Sequence, residues 1–214
     1  MSNPLPIYQS YIDGAFSAGD NLIEVFNPAN GERLGSVPET SLSEVERAIA
    51  AARTAQKAWA KKPANERAGY LRRIASKVRD NAERLARIIT AEQGKVPGLA
   101  LVEVNFTADY LDYMAEWGRR LEGEILTSDR PGENIFVFRK PLGVVAGILP
   151  WNFPFFLIAR KLSPALITGN TIVIKPSEET PINCFEFARL LAETDLPKGV
   201  VNIVSARAAP WAMP

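Results

Sequence analysis

Three stretches near the end of the chain are apolar almost without interruption: "GVVAGIL" (143–149), "TIVIK" (171–175) and "GVVNIV" (199–204). A strand covered on both faces reads this way, because no position faces water. Residues 153–168 and "PINCFEFARLLAET" (181–194) lie between them with helical apolar spacing, and Gly169-Asn170 punctuates the end of the first. The order predicts β-α-β-α-β, one half of a doubly wound parallel sheet, and places the chain in the α/β class.

Upstream the pattern changes. "YIDGAF" and "LIEVFNP" are short β-prone runs with "SAGDN" between them, which predicts a hairpin over 11–26. "NPANGE" (27–32) is turn chemistry. Ser41-Leu42-Ser43-Glu44 has the form of a capping box, and Val45, Ala48, Ile49, Ala52, Ala55 and Trp59 follow at helical spacing. A second, long helix carries Leu71, Ile74, Ala75, Val78, Leu85 and Ile89, with Gly94 as its stop. A third is expected over 99–121, on Val102, Phe106, Tyr110, Met114 and Trp117. "SDRPGEN" (128–134) reads as a loop and 135–140 as a strand. These elements predict a partial parallel sheet preceded by a hairpin and three helices.

Composition narrows the functions. Of the 214 residues 47% are hydrophobic and 23% charged, the balance of a globular protein with a core. The net charge of +1 and the lack of a basic patch argue against nucleic acid as a partner. No apolar run nears the roughly 18 residues of a membrane span, and "MSNPLPIYQSYIDG" lacks the apolar core of a signal peptide. A lone cysteine fits a cytoplasmic setting. There is no histidine, so no Ser-His-Asp triad, Cys-His pair or histidine metal site can be assembled from these residues, and no metal site is expected.

In an open parallel sheet, ligands sit beyond the carboxyl ends of the strands. "PWNFP" follows the first buried strand and "KPSE" the second, which puts both on one rim. A G-x-G-x-x-G fingerprint is absent after the first strand, so a dinucleotide would not be held by the common glycine turn. Asn152 reads either as a helix N-cap or as an amide donor to a developing oxyanion. Trp151 reads as core or as the wall of a cofactor site. Lys175 and Glu178 read as a solvated charge pair or as ligands of an adenosine ribose. Phe153, Leu157 and Arg160, spaced i, i+4, i+7, share one helical face. Arg160 would cap the helix end, face solvent or face a polar substrate. Cys184, between Ile182 and Phe185 with no histidine to activate it, reads as a buried structural thiol.

"GVVAGILPWNFPFFLIARKLSPALITGNTIVIKPSE" resembles the aldehyde dehydrogenase superfamily, as does "YIDGAF…VFNPANGE". "FTADYLDYMAEWGRRLEGEILTSDRPGEN" resembles its bacterial lactaldehyde/glycolaldehyde dehydrogenase branch, and the similarity runs from about residue 8 to 205. The resemblance implies NAD-dependent oxidation of a small α-hydroxy aldehyde to the acid, through a cysteine thiolate and a nicotinamide hydride acceptor, in a homo-oligomer. It implies Asn152 as the oxyanion donor, Leu149, Pro150 and Trp151 as lining of the cofactor cleft, and Lys175, Ser177 and Glu178 as adenosine-side ligands. Phe153, Leu157 and Arg160 would line the substrate tunnel, with Arg160 hydrogen-bonding the substrate oxygens.

The resemblance further implies a partial NAD-binding domain over 1–205, with the hairpin 11–26 and the strand 135–140 belonging to an oligomerisation region. The family's catalytic cysteine and general-base glutamate find no match here, so the catalytic domain is expected to be absent and the chain inactive alone. The run 200–204 is expected toward a sheet edge. After "GVVNIVS" the family continues with a glycine-rich turn, whereas this chain reads "ARAAPWAMP". Glycine and alanine codons differ by the slip of one base, so an aberrant tail over 206–214 and a frameshifted or truncated gene are expected. A nucleotide-binding or subunit-interaction fragment, or a non-functional product, is the alternative.

Overall fold

The computed structural model describes residues 5–207. Of the expected aberrant tail, 206–214, all but Ala206 and Arg207 lies outside the described residues.

The N-terminal β-rich region forms two hairpins instead of one over 11–26. Strand β1 (Ser10–Ile12) pairs antiparallel with β2 (Ala15–Ser17), Ile12 opposite Ala15. The turn is Asp13-Gly14, with φ of 53° and 75°. Two consecutive positive φ values are what a two-residue primed turn demands, and Asp-Gly supplies them. "YIDGAF" is thus a complete hairpin. The run after it, β3 (Asn21–Phe26), pairs with β4 (Arg33–Glu39) around the NPANGE turn. β4 carries a glycine and a proline, which hides it from a β-propensity reading.

Helix α1 (Leu42–Trp59) opens on the expected capping box: the Ser41 side chain accepts from the Glu44 N–H, and Glu44 reaches back to the Ser41 N–H. The long second helix divides into α2 (Ala64–Asp80) and α3 (Ala82–Gln93), because Asn81 leaves helical geometry at φ −114°, ψ 12°. Four helices, not three, therefore precede the parallel strands. Gly94, at φ 80°, ends α3 as expected. Helix α4 (Pro97–Ala115) ends earlier than the expected 121, in a 3-10 turn over Glu116–Arg119. Strands β5 (Glu124–Thr127) and β6 (Asn134–Val137) make a separate two-stranded ribbon across a loop over 128–133, so the expected strand over 135–140 begins one residue earlier and stops at Val137.

The remainder is the predicted β-α-β-α-β: β7 (Val144–Ile148), α5 (Phe156–Ile167), β8 (Thr171–Lys175), α6 (Ile182–Ala192) and β9 (Val201–Ile203). The sheet order is β2-β1-β9-β8-β7, the last three parallel. β9 is therefore not an edge. The first hairpin crosses over and pairs antiparallel with it at Tyr11↔Ile203, burying Ser10, Tyr11 and Ile12. The edges are β2 and β7, and on β7 Ile148 is 71% exposed.

Buried side chains of the helical layer end the helices that flank the sheet. Trp59 Nε1 donates to the Leu166 carbonyl at 3.1 Å. Arg67, 6% exposed, donates through Nε and Nη2 to the Ile167 carbonyl at 3.1 and 2.9 Å, and through Nη1 to that of Lys62. A cation at the C-terminus of α5 meets both its unpaired carbonyls and the negative end of its dipole. Replacing Arg67 by Met keeps most of the volume but strips these carbonyls of donors in a dry site. Denaturant melts should show a loss of about 2–3 kcal/mol; a loss under about 0.5 kcal/mol would mean that the cap contributes little.

Candidate functional site at the carboxyl ends of β7 and β8

Strands β7 and β8 end side by side, Ile148 opposite Lys175, and the Leu149 N–H extends the pairing by donating to the Lys175 carbonyl at 3.0 Å. The two chains then part. One runs through Pro150–Pro154 into α5, the other through Pro176–Thr180 into α6. "PWNFP" and "KPSE" thus meet on the same rim.

On the first branch the burial is sharply divided. Leu149 is only 3% exposed and its side chain belongs to the core, so it offers a cleft no more than backbone. Pro150, Trp151, Asn152 and Phe153 stand exposed, while Pro154 and Phe155 are buried again. Trp151 lines a cavity of about 410 Å³ with Phe26, Glu92, Gln93, Glu179 and Thr180, and its exposure sets aside the core reading.

Asn152 is not an N-cap. Helix α5 begins at Phe156 rather than at 153, and no side chain of its own segment caps it. Glu103, from the middle of α4, caps it instead. Its Oε1 accepts from the N–H groups of Phe155 at 2.9 Å and Phe156 at 3.1 Å. Among the described residues the Asn152 side-chain amide makes no hydrogen bond. Its backbone carbonyl accepts two, from Gln93 Nε2 and Lys95 Nζ, both at 3.2 Å.

Phe153 precedes the helix but remains in line with it, since the Leu157 N–H donates to the Phe153 carbonyl at 3.0 Å. Leu157 is half-buried against the core, and Arg160 is exposed and forms no ion pair among the described residues. The ring of Phe156 packs on Phe106 and Tyr110 of α4, centroids 4.6 and 5.5 Å apart, which holds the first turn of α5 to the helical layer.

On the second branch Lys175 Nζ lies 3.3 Å from Glu178 Oε2 and 3.2 Å from the Pro176 carbonyl, in a half-buried setting. Ser177 Oγ accepts from the Glu179 N–H at 3.3 Å. Glu178 is therefore an acceptor beside a cation at the end of the second parallel strand.

Helix α6 is capped as α5 is. The fully buried Glu92 of α3 accepts from the Ile182 N–H at 2.7 Å, the Asn183 N–H at 2.8 Å and Asn183 Nδ2 at 2.6 Å. Burial pushes its carboxyl up to about 7, against the pull of those donors. The Cys184 thiol is buried within α6 and is raised by desolvation and by the nearby Glu92.

Neither glutamate stands out among the candidates drawn from the sequence. A signal is nonetheless present: Leu85, Ile89 and Glu92 fall at i, i+4 and i+7, on the buried face of α3. Glu103 lies likewise on the buried face of α4 with Ala100 and Thr107. A carboxylate on an apolar stripe must find donors, and helix N-termini supply them.

The profile of the aldehyde dehydrogenase family matches residues 16–212. The chain belongs to the aldehyde dehydrogenase family. It is 54% identical over 209 residues to lactaldehyde dehydrogenase of Escherichia coli, covering 97% of this chain and 43% of the relative. The crystal structure of that Escherichia coli enzyme superposes with a TM-score of 0.93 over 95% of this chain and 43% of the other. The structure of a 3,6-anhydro-L-galactose dehydrogenase in complex with NAP gives a TM-score of 0.90 at 41% identity, over 94% and 43%. An NADP(+)-dependent succinate-semialdehyde dehydrogenase of Escherichia coli is 39% identical over 94% of this chain and 42% of its own. The chain thus spans about two fifths of the length of the aldehyde dehydrogenases it matches.

The raised Glu92 carboxyl carries a pH signature. Its folded value near 7 exceeds the ordinary 4.5, so the unfolded chain releases this proton first as pH rises. Stability from this group is complete below about pH 4.5, falls between about 4.5 and 7, and is level above, a total loss of up to about 3 kcal/mol. Urea melts at pH 5, 6, 7 and 8 should show that decline, and Glu92→Gln should flatten it. An equal slope in both proteins would contradict the assignment.

Proposed function

We propose that these residues form the cofactor side of an NAD-dependent aldehyde dehydrogenase that oxidises a small α-hydroxy aldehyde, such as lactaldehyde or glycolaldehyde, to its acid. One observation carries the reading: an unengaged asparagine amide and a Lys-Glu pair stand on one rim, at the ends of adjacent parallel strands. The likeness to lactaldehyde dehydrogenase supports the substrate class.

In this reading Glu178 accepts from the adenosine 2′-hydroxyl, Lys175 donates to the neighbouring ribose oxygen, and Ser177 shapes the turn between them. Pro150 and Trp151 bound the cleft. The bound nicotinamide supplies the hydride acceptor. The Asn152 amide donates to the aldehyde oxygen as negative charge grows on it, which favours the transition state over the substrate. Phe153 and Leu157 enclose the carbon chain, and Arg160 donates to the α-hydroxyl. Cys184, the sole thiol of the sequence, is buried and its pKa raised, so it does not serve as the nucleophile. The 214 residues alone therefore do not turn aldehyde over. No described helix is long and apolar enough to cross a membrane, which is in keeping with a cytoplasmic enzyme. The β5–β6 ribbon, with Ile125 and Phe136 exposed, favours association with further subunits of the same kind.

Calorimetric titration of the chain should show NAD preferred over NADP by about tenfold or more, and Glu178→Gln should narrow the ratio to within about threefold, since a carboxylate facing a 2′-phosphate opposes binding by a kcal/mol or more. An unchanged ratio would remove Glu178 from the role.

Turnover tests the donor. In a chimera that continues residue 205 into the downstream part of Escherichia coli lactaldehyde dehydrogenase, Asn152→Ala should lower kcat by about 10²–10³-fold with NAD affinity near normal. The 214-residue chain itself should reduce no NAD with glycolaldehyde. Activity that survives Cys184→Ser would overturn the mechanism, because no other thiol is present.

A further inference from the structure

We propose that the buried Lys95–Glu103 ion pair is the positioning device for the Asn152 amide, an inference that rests on the oxyanion reading above. The Glu103 side chain is 1% exposed and that of Lys95 12%. Burying both charges is costly unless each finds its partners. Glu103 divides its two oxygens: Oε1 takes the N–H groups of Phe155 and Phe156, and Oε2 takes the Lys95 ammonium. Lys95 in turn donates to the Asn152 carbonyl at 3.2 Å and sits over the Phe153 ring, 4.2 Å from its centroid. One ion pair thus fastens residues 152, 153, 155 and 156.

Capping α5 alone does not require the lysine. A carboxylate on two N–H groups completes the cap. The lysine extends the hold to a carbonyl outside the helix, and Gln93 donates to that same carbonyl from the other side of Gly94. Gly94, at φ 80°, lets the chain bend so that residues 93 and 95 converge. The Asn152 side chain has no hydrogen bond of its own among the described residues, so what Lys95 and Gln93 fix is the place of the peptide from which its amide reaches out. A donor whose backbone is held in place before charge develops has less to reorganise during the reaction.

Hydrogen–deuterium exchange of the 214-residue chain, resolved to the peptides 150–157 and 171–176, tests the tether. Lys95→Met should speed exchange in 150–157 about tenfold or more and leave 171–176 as it was. Asn152→Ala should leave both unchanged, since its carbonyl remains. Unchanged exchange in Lys95→Met, or equal acceleration in both peptides, would overturn the proposal. In the chimera, Lys95→Met should lower kcat about tenfold or more with KM for NAD unchanged; unchanged kcat would also overturn it. Failure of the oxyanion reading looks different: Asn152→Ala would retain turnover while Lys95→Met still loosened 150–157.

Discussion

The Pro150–Leu157 branch of the rim depends on one carboxylate placed where water cannot reach it. Glu103 lies in the middle of α4 with its side chain buried, and its nearest demand is the pair of unpaired N–H groups that begin α5. The helix begins at Phe156, three residues later than the sequence suggests, so its cap position falls on Phe155, whose side chain has no acceptor, and Glu103 supplies one from α4. Asn152 takes no part in that cap, and its amide stays unengaged among the described residues.

The same device recurs through the fold. Glu92 ends α6 as Glu103 ends α5, and Arg67 closes the opposite end of α5. Anions meet helix N-termini and a cation meets a C-terminus, as the backbone dipoles favour. The four helices before the parallel strands are thus more than cover for the sheet. They carry the charges that fix where its helices begin and end, and so where the loops between strand and helix stand. The site is assembled across a sequence separation of about fifty residues (Glu103 to Phe155) and about ninety (Glu92 to Ile182).

That separation explains what can be read from the sequence. The parallel strands and their helices are legible because continuous apolar runs and helical spacing are local signals, as is the Ser41–Glu44 capping box. The convergence of "PWNFP" and "KPSE" follows from strand order alone. The first hairpin escapes a propensity reading because the short Asp13-Gly14 turn competes with the longer "SAGDN" stretch, and the break at Asn81 escapes it because the apolar stripe runs across it. The sheet edge differs from expectation because pairing of β1 with β9 joins residues nearly two hundred apart. Lys95 and Gln93 are invisible as site residues in the sequence, since nothing near them says which carbonyl they meet.

A crystal structure of the chain with NAD is the most direct test of the central claim, that Glu103 caps α5 so that Asn152 stands free beside the cofactor rim. The account predicts the Glu103 carboxylate on the Phe155 and Phe156 N–H groups, the ribose hydroxyls within hydrogen-bond distance of Glu178 and Lys175, and the Asn152 amide facing the cleft. Finding the Asn152 side chain bonded to the N–H groups of α5, with Glu103 turned away, would contradict it.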